Sequence, residues 1–289
     1  MEWPELSIET QAERQDRRGA DAQPRRRPRA LTIAGSDSGG GAGIQADLKT
    51  FAALGVYGAS AITAITAQNT LGVRAIHEIP GDVVAAQIDA VLEDIGADAA
   101  KTGMLSSASI IDVVADRIRA HGVAHLVVDP VMVAKSGDRL LREDAVKALR
   151  DELLPLAAVV TPNAPEATVL SGVDVVDAAS AREAARRIAD LGPRLVIVKG
   201  GHFEGERSDD LVWDGRTFEI LTGRRVATRH THGTGCTFSA AIAAYLARGL
   251  DPQAAAREAR AYLQGAIENA EPLGAGHGPV NHLWRSSNA

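Results

Sequence analysis

The feature that most constrains the fold is an alternation of short apolar runs with longer amphipathic stretches. Six apolar runs have the length and composition of strands: residues 31–34, 59–67, 97–101, 125–128, 157–160 and 195–198. Between them, apolar residues recur at helical spacing in five stretches: residues 44–54, 83–95, 110–120, 143–153 and 181–191. This alternation is typical of right-handed βαβ units. It predicts a three-layer α/β/α fold with a mostly parallel central sheet flanked by helices.

The apolar segments that remain complete this architecture. Residues 211–213 and 217–221 lie on either side of Asp214-Gly215-Arg216 and predict an antiparallel hairpin. Residues 234–248 and 252–270 then predict two further helices.

Two regions of the chain differ in composition. Residues 1–29 lack apolar periodicity and contain seven arginines, so we expect a disordered N-terminal extension, either a solvated tail or a functional arm. No Pro/Ser-rich linker interrupts residues 30–282. We therefore expect one folded domain over residues 30–289.

Composition narrows the classes of partner. Aromatic residues make up 3% of the chain, so a stacking platform for single-stranded nucleic acid is not expected. The net charge of −6 argues against a broad polyanion-binding surface. A long apolar segment is missing from the sequence, so we expect no membrane span. The single cysteine, Cys236, cannot form an intramolecular disulfide and favours a reducing cytoplasm.

A glycine-rich loop follows the first predicted strand, at residues 35–43, and precedes a helix that contains Asp47. Glycines permit positive φ angles and a close approach of backbone to a ligand, and the next helix offers unpaired amides. The loop lacks both the Gly-Lys-Ser/Thr ending of a P-loop and the dinucleotide fingerprint. It is either a ligand-binding loop or a plain flexible turn.

A second glycine-containing turn, His232-Gly233-Thr234-Gly235-Cys236-Thr237, opens an Ala-rich helix. Backbone amides and the positive end of the helix dipole meet there, an arrangement that suits an anion such as a phosphoryl group. The alternative is a tight helix start without a ligand. We expect the position of Cys236 in the first turn to lower the pKa of its thiol, and we interpret His230 and His232 as polar loop residues.

Acidic residues follow two of the predicted strands. Asp129 follows residues 125–128, and Glu166 follows the strand at residues 157–160. Because parallel strands end at the same edge of a sheet, these carboxylates could hold Mg²⁺ and position nucleotide phosphates. Lys199 and Gly200 follow another strand and could admit a nucleotide. Capping acids and a plain turn are the alternatives.

Together, these segments resemble the hydroxymethylpyrimidine/phosphomethylpyrimidine kinases of the ribokinase-like superfamily. The resemblance covers about residues 30–284. Beside the glycine loop and the residue 232–237 turn, it includes Thr-Ala-Gln-Asn-Thr at 66–70, Lys-Thr-Gly-Met-Leu at 101–105, Asp-Pro-Val-Met at 129–132 and Thr-Pro-Asn-Ala-Pro-Glu-Ala at 161–167.

The resemblance implies a role for each matching residue. The residues expected around the pyrimidine are Gly35, Asp47, Gln68, Met104, Val131 and Cys236. The residues expected to bind ATP are Asn163, Glu166, Lys199 and Gly200, with Asp129 and Glu166 at Mg²⁺. The anion hole for the transferred phosphoryl group is expected at Gly233, Thr234, Gly235 and Cys236.

The resemblance also implies an activity. ATP would phosphorylate the hydroxymethyl oxygen of 4-amino-5-hydroxymethyl-2-methylpyrimidine, a small-molecule substrate, and then the resulting monophosphate. Lys101 and Lys135 are candidates for neutralising the charge in that second step. The resembling enzymes commonly dimerise, so we expect a homodimer. A pyridoxal kinase and a non-catalytic pyrimidine-binding protein are the alternatives.

Many sugar kinases of the superfamily have an aspartate base where this chain has Cys236. We interpret Cys236 as a base or proton relay, with a packing role as the alternative. Positioning and electrostatics dominate phosphoryl transfer, so a strong base is not required.

Overall fold

The predicted apolar runs become strands of one sheet. The computed structural model describes residues 26–132, 143–202 and 206–286 of the chain. The strands in these residues are β1 (Arg29–Asp37), β2 (Tyr57–Asn69), β3 (Gly72–Glu78), β4 (Ala99–Thr102), β5 (Leu126–Val128), β6 (Val159–Val160), β7 (Leu195–Val198), β8 (Asp210–Trp213) and β9 (Phe218–Leu221). They are arranged in the order β3-β2-β1-β4-β5-β6-β7-β8-β9.

The centre of the sheet is parallel and its edges are antiparallel. Strands β2, β1, β4, β5, β6 and β7 pair in parallel, whereas β3 at one edge and β8 and β9 at the other pair antiparallel. Strands β5, β6 and β7 are buried along their whole length and consist of Val, Leu and Ile. Such runs are typical of strands that are covered on both faces.

The helices of the described residues cover both faces of the sheet. They are α1 (Gly43–Ala53), α2 (Gly81–Ala90), α3 (Ala108–Ala120), α4 (Glu143–Ala148), α5 (Ala164–Ser171), α6 (Ala178–Ala189), α7 (Thr234–Ala247) and α8 (Pro252–Glu268). Helices α2 to α6 pack into one apolar cluster with one face, and α1, α7 and α8 form a second cluster with the other. The predicted three-layer α/β/α fold is confirmed.

Helix α7 is buried over most of its length. Residues 237–246 are all buried, and four of them are alanine. Small side chains let the helix lie close to the strands beneath it. This close approach keeps the core densely packed although the chain has few large aromatic side chains. The position of the N-terminus of α7 is therefore set by the core.

The structure also contains elements that the sequence patterns did not predict. Strand β3 has mostly exposed residues and no alternation of buried and exposed positions, because it lies at the sheet edge. Helix α5 begins in the segment interpreted as a loop, although Asn163 and Glu166 form a capping box that marks a helix start. Strand β1 begins at Arg29, one residue before the expected domain boundary.

Two further expectations concern segments outside the core. Most of the expected N-terminal extension, residues 1–25, lies outside the described residues, as does Lys135. None of the helices in the described parts of the chain is long and apolar enough to cross a membrane.

Candidate active site

Loops at the carboxyl ends of the parallel strands meet around a cavity of 1520 Å³. The residues that line it come from chain positions more than 190 residues apart, because parallel strands direct their C-terminal ends to one edge. The predicted site residues in its wall are Gly35, Gln68, Met104, Asp129, Val131, Asn163, Glu166, Lys199, Gly233, Thr234, Gly235 and Cys236. The structure therefore brings together all but two of the predicted residues.

Asp47, the first of these two residues, lies behind the cavity wall. Its side chain is fully buried, accepts a hydrogen bond of 2.6 Å from Thr32 Oγ1, and lies 2.9 Å from Lys101 Nζ. The carboxylate has no exposed surface and does not line the cavity, and its expected contact with the pyrimidine stays a prediction. Asp47 holds Lys101, and Lys101 lines the cavity.

Lys101 supplies a fixed positive charge to the cavity wall. Burial alone would lower the pKa of its ammonium group, but Asp47, together with the nearby Cys236 and Asp129, outweighs burial and raises it. Lys101 therefore stays protonated at every physiological pH. Its neighbours Gly103 and Met104 follow on the same loop, at the end of the cavity where the pyrimidine is expected.

A second buried cluster holds the acidic residues. Lys199 Nζ lies 3.0 Å from Asp129 Oδ1 and 3.8 Å from Glu166 Oε2, and Ser239 Oγ donates to Asp129 Oδ2 at 3.2 Å. Burial alone would raise the pKa of Asp129, but Lys199 and Lys101 outweigh burial and lower it. Burial is the main cause that raises the pKa of Glu166 to about 7. The two carboxylates therefore differ in how readily they ionise.

The rotamer of Glu166 is set by the start of helix α5. Asn163 is the N-cap residue, and its side chain accepts from the Glu166 N–H at 2.9 Å. Glu166 Oε2 in turn accepts from the Asn163 N–H at 2.7 Å. This capping box explains why the sequence has Asn and Glu three residues apart at this strand end.

The acidic cluster fits a magnesium ion that is coordinated partly by the protein and partly by the phosphates of a bound substrate. In the described residues, no three His, Cys, Asp or Glu side chains are placed to hold a metal ion together. Mg²⁺ commonly takes one or two carboxylates and completes its octahedron with waters and phosphate oxygens. Asp129 and Glu166 match that donor set.

The turn at residues 232–236, here called the α7 turn, lies directly over this cluster. A Cβ atom on Gly235 would lie 3.5 Å from Lys199 Nζ and 3.6 Å from Asp129 Oδ2. Gly233 has a φ of +78°, and a Cβ atom there would lie 1.8 Å from the Gly41 oxygen, so only glycine fits. The first amides of α7 therefore meet the Lys199 ammonium group at the middle of the cavity, where an anion would be stabilised.

The expected low pKa of the Cys236 thiol is wrong. Burial raises the pKa of this thiol to about 11, and Asp47 and Asp129 raise it further although Lys101 opposes them. A helix N-terminus lowers a thiol pKa only where buried carboxylates do not surround it. Cys236 is therefore a neutral thiol at pH 7, in a partly exposed position on the cavity wall.

The glycine loop (residues 35–43) is organised by Asp37, which the sequence interpretation did not single out. Its carboxylate accepts from the N–H groups of Gly39 at 2.8 Å, Gly41 at 3.1 Å and Ala42 at 2.9 Å. The amides that the sequence suggested for a ligand are thus bound within the loop. An Asp before a glycine run is the signal that could have predicted this.

Gly200 is the second predicted residue outside the cavity wall. Its N–H donates to Asp210 Oδ1 at 2.9 Å, and a Cβ atom on it would lie 1.7 Å from the Asp209 oxygen. Gly200 therefore shapes the turn after Lys199, and the next residue, Gly201, reaches the cavity. Its expected contact with ATP stays a prediction.

Beyond Lys199, the cavity extends between the β8–β9 hairpin and helix α8. We call this part the nucleotide arm; its wall includes Ser208, Asp210, Val226, Arg260, Leu263 and Ile267. Arg260 Nε lies 3.1 Å from Asp210 Oδ2, and Arg260 Nη2 donates to the Ser208 carbonyl at 2.6 Å. Sequence interpretation missed these residues, because they follow no local motif.

The cavity has what phosphoryl transfer requires. Its volume is 1520 Å³, and its wall contains the Asp129 and Glu166 carboxylates, Lys101, Lys199 and the N-terminus of helix α7. Catalysis of this reaction consists mainly of positioning and charge stabilisation. With the three-layer α/β/α fold, this defines the class of the protein as a small-molecule kinase of the ribokinase-like type.

Comparison with known proteins narrows the class to a family. A family model described as phosphomethylpyrimidine kinase matches residues 37–281. The hydroxymethylpyrimidine/phosphomethylpyrimidine kinase of Rhizobium meliloti is 55% identical to this chain, over 89% of this chain and 97% of its own length. The enzyme of the same name from Bacillus subtilis is 49% identical, over 88% of this chain and 94% of its own length. The chain belongs to the phosphomethylpyrimidine kinase family, which confirms the resemblance found in the motifs.

Other similar proteins include a bifunctional enzyme and two kinases with solved structures. The chain spans about half (52%) of the thiamine biosynthesis bifunctional protein ThiED of Geobacter sulfurreducens, at 53% identity over 88% of this chain. Pyridoxal kinase from Staphylococcus aureus, solved with pyridoxal, has a TM-score of 0.84 at 41% identity, over 90% of this chain and 94% of that one. The phosphomethylpyrimidine kinase of Clostridium difficile has a TM-score of 0.74 at 44% identity, over 83% and 99%.

The raised thiol pKa predicts how Cys236 reacts with alkylating agents. Iodoacetamide attacks only the thiolate, so we expect the alkylation rate to rise about tenfold per pH unit between about pH 8 and pH 10, without a plateau. Intact-protein mass spectrometry measures the rate, with glutathione as the reference thiol. Cys236→Ser is the control, because the chain has one cysteine. A plateau below pH 8 would contradict the assigned pKa.

The Lys101–Asp47 pair predicts a stability effect. Lys101→Met leaves a buried carboxylate without its cation, so we expect a loss of about 3–5 kcal/mol in the free energy of unfolding. Burial raises the pKa of Asp47, so the variant is most stable at low pH and loses stability as pH rises. Urea denaturation at several pH values measures both effects.

Two further variants complete this experiment. The double variant Asp47→Leu/Lys101→Met removes both charges and should lose less stability than Lys101→Met alone. Lys147→Met, which removes an exposed lysine paired with Asp151, should leave stability nearly unchanged. Equal losses for Lys101→Met and Lys147→Met would show that the buried pair has no special weight.

Proposed function

We propose that this chain is a cytoplasmic kinase that uses Mg-ATP to phosphorylate 4-amino-5-hydroxymethyl-2-methylpyrimidine and then its monophosphate, in the synthesis of a thiamine precursor. One observation carries the proposal. A single cavity runs from Gln68 and Met104, past the α7 turn and the Asp129–Glu166 cluster, into the nucleotide arm. The names and high identity of the curated relatives support the same substrate.

The proposed pyrimidine end of the cavity combines polar and apolar groups. Gln68 has an amide that can both donate and accept, which suits an aminopyrimidine with adjacent donor and acceptor atoms. Met104 and Val131 provide apolar contacts for the ring and its methyl group. A Cβ atom on Gly35 would lie 2.5 Å from Met104 Cε, so glycine keeps this end open. The pocket is thus sized for a small flat heterocycle.

The acidic cluster would hold the metal and orient the phosphates. Asp129 and Glu166 are the proposed Mg²⁺ ligands, and the ion when bound neutralises phosphate charge. Lys199 is 17% exposed and lies between both carboxylates and the α7 turn, so its ammonium can face the γ-phosphate. The α7 amides, on the other side, stabilise charge on the transferred group.

Cys236 is the proposed proton relay next to the acceptor oxygen. Its thiol is protonated at rest, so it does not ionise the substrate hydroxyl in advance. In a loose transition state the hydroxyl proton leaves late, when bonding to phosphorus has made it acidic. A neutral thiol at that position can take this proton while it gives its own S–H proton to an oxygen of the transferred phosphoryl group, and Lys101 stabilises any partial negative charge on sulfur.

The test of the proposed function is a product analysis. Pure protein is incubated with ATP, Mg²⁺ and the pyrimidine, and mass spectrometry distinguishes no product, the monophosphate and the diphosphate. We expect both phosphorylated products in sequence, and none when EDTA removes the metal or in Asp129→Asn. Tight pyrimidine binding without ADP release would contradict the proposal and indicate a binding protein.

Substitution of Cys236 tests the relay. We expect Cys236→Ala to lower kcat by about 100-fold, at the lower end of acid–base contributions. Cys236→Ser keeps a hydroxyl at the position and should lose less. Steady-state kinetics with saturating ATP measure both variants. Near-normal turnover of Cys236→Ala would remove Cys236 from the proton path and leave it a packing role.

Pyridoxal is the second candidate substrate. Pyridoxal kinase structures from Bacillus subtilis and Staphylococcus aureus match this chain with TM-scores of 0.84. Both candidate substrates are planar heterocycles with a hydroxymethyl group. A coupled ADP-release assay with a substrate panel separates them, and we expect kcat/KM to be higher for the pyrimidine. A higher value for pyridoxal would reverse the assignment.

We also propose that the chain forms a homodimer through the β3 edge of the sheet. Ile65 on β2, Ile76 on β3 and Leu71 between them are 50%, 43% and 66% exposed. A strand edge with exposed apolar side chains is a site for association with a second copy.

Light scattering coupled to size-exclusion chromatography tests the dimer. We expect a dimeric mass for the native chain and a monomeric mass for Ile65→Lys. Val176→Lys is the matched control, because Val176 is 67% exposed and lies far along the chain, before helix α6. A monomeric native chain, or dissociation by both variants, would contradict this interface.

A further inference from the structure

A hydrogen-bonded His–Asp pair in the cavity wall has no part in the chemistry described above. His232 Nε2 lies 2.9 Å from Asp37 Oδ2, with side chains that are 12% and 3% exposed. Asp37 belongs to the glycine loop and His232 to the α7 turn, 195 residues later in the chain. The pair therefore joins two loops that pack against each other in the cavity wall.

The hydrogen bonds of Asp37 determine which nitrogen of His232 carries a proton. Burial disfavours the charged carboxylate, but His232 and the loop N–H groups outweigh burial and lower the pKa of Asp37. An ionised carboxylate only accepts, so His232 Nε2 must be the donor. Gln68 Nε2, at 3.5 Å, cannot then donate to the same nitrogen. The amide of Gln68 stays available to a ligand.

The glycine loop and the α7 turn pack so closely that the imidazole ring of His232 is restricted to one position. A Cβ atom on Gly41 would lie 2.4 Å from His232 Cδ2. The backbone of His232 is held as well, since its N–H donates to the Gly278 carbonyl at 3.0 Å and its carbonyl accepts from Val280 N–H at 3.2 Å. The position of His232 thus depends on the glycine loop on one side and the C-terminal segment on the other.

We propose that Asp37 and His232 are positioning residues that set the distance between the glycine loop, which borders the bound pyrimidine, and the α7 turn, which stabilises the transferred phosphoryl group. This inference rests on the proposed function. The acceptor oxygen is positioned from the glycine-loop side and the phosphoryl group from the α7 side. A displacement of about 1 Å between such groups can cost 100-fold in rate. The pair acts through the loops and touches no reacting atom.

Two substitutions of His232 separate the hydrogen bond from simple packing. His232→Gln places an amide N–H where Nε2 lies and can still reach Asp37, whereas His232→Leu fills similar space without a donor. We expect His232→Leu to lower kcat with the pyrimidine by about 100-fold, with KM for ATP unchanged, and His232→Gln to recover most of the loss. A side chain that only fills space would behave alike in both variants.

Substitution of Asp37 closes a double-mutant cycle. Asp37→Asn replaces one carboxylate oxygen by an NH₂ group, which then faces either the Gly39 N–H or the donors at the other oxygen, from Gly41, Ala42 and His232. We therefore expect kcat to fall at least as far as in His232→Leu. The double variant Asp37→Asn/His232→Leu should be no slower than Asp37→Asn alone, because the bond that His232→Leu removes is already lost in Asp37→Asn. Calorimetric binding of ADP to each variant shows whether the fold and the nucleotide arm are intact.

A second His–carboxylate pair provides the matched control. His121 Nε2 lies 2.7 Å from Asp89 Oδ1, between helices α2 and α3 and outside the cavity. His121→Leu removes the same kind of bond and should leave kcat and both KM values unchanged.

The outcomes separate this inference from the proposed function. No phosphorylation by the native chain would overturn the proposed function. An active native chain with normal kcat in His232→Leu, or a fully additive double variant, would overturn the positioning role alone. A His232→Leu variant that also fails to bind ADP would assign the pair to folding and likewise overturn it.

Discussion

The structure depends on the parallel pairing of its central strands. Strands β1, β4, β5, β6 and β7 point in the same direction, so the loops that follow them gather at one edge. The glycine loop and the side chains of Lys101, Asp129, Glu166 and Lys199, which lie at or just after the ends of these strands, therefore line one cavity. The buried, aliphatic strands and the alanine-rich helix α7 hold this edge rigid, which a site built from distant segments requires.

Charges in the cavity are arranged before any ligand arrives. Lys101 is held by Asp47 and Lys199 by Asp129 and Glu166, so each lysine keeps both its charge and its position. Groups that are already oriented need not reorganise when a phosphoryl group develops charge. The glycine loop follows the same principle, since Asp37 binds its amides and His232 joins it to the α7 turn. Together these buried pairs determine the shape of the cavity as well as its charge.

The residues of the cavity differ in how well the sequence could predict them. Gly233 and Glu166 were predicted because a glycine-containing turn before a helix and an acidic residue after a strand, in an Asn-x-x-Glu segment like that of the superfamily, are local patterns. Asp47 and Gly200 lie behind the cavity wall, which the sequence could not show, because a motif does not show which side of a loop faces the cavity. The predicted low pKa of the Cys236 thiol was wrong because that pKa depends mainly on burial and also on Asp47 and Asp129, and only folding buries the thiol and brings these carboxylates near. Arg260 and Asp210 belong to no motif and were not predicted.

The sequence alone determined the class of fold, the order of most strands and helices, and the family, because hydrophobic periodicity and short motifs are properties of neighbouring residues. Only the tertiary structure decided which predicted residues line the cavity and which lie behind it. It also decided that Asp37 meets His232, and that Cys236 is a neutral thiol. These features depend on burial and on pairs of charges far apart in the chain, and such long-range contacts exist only after the sheet has formed.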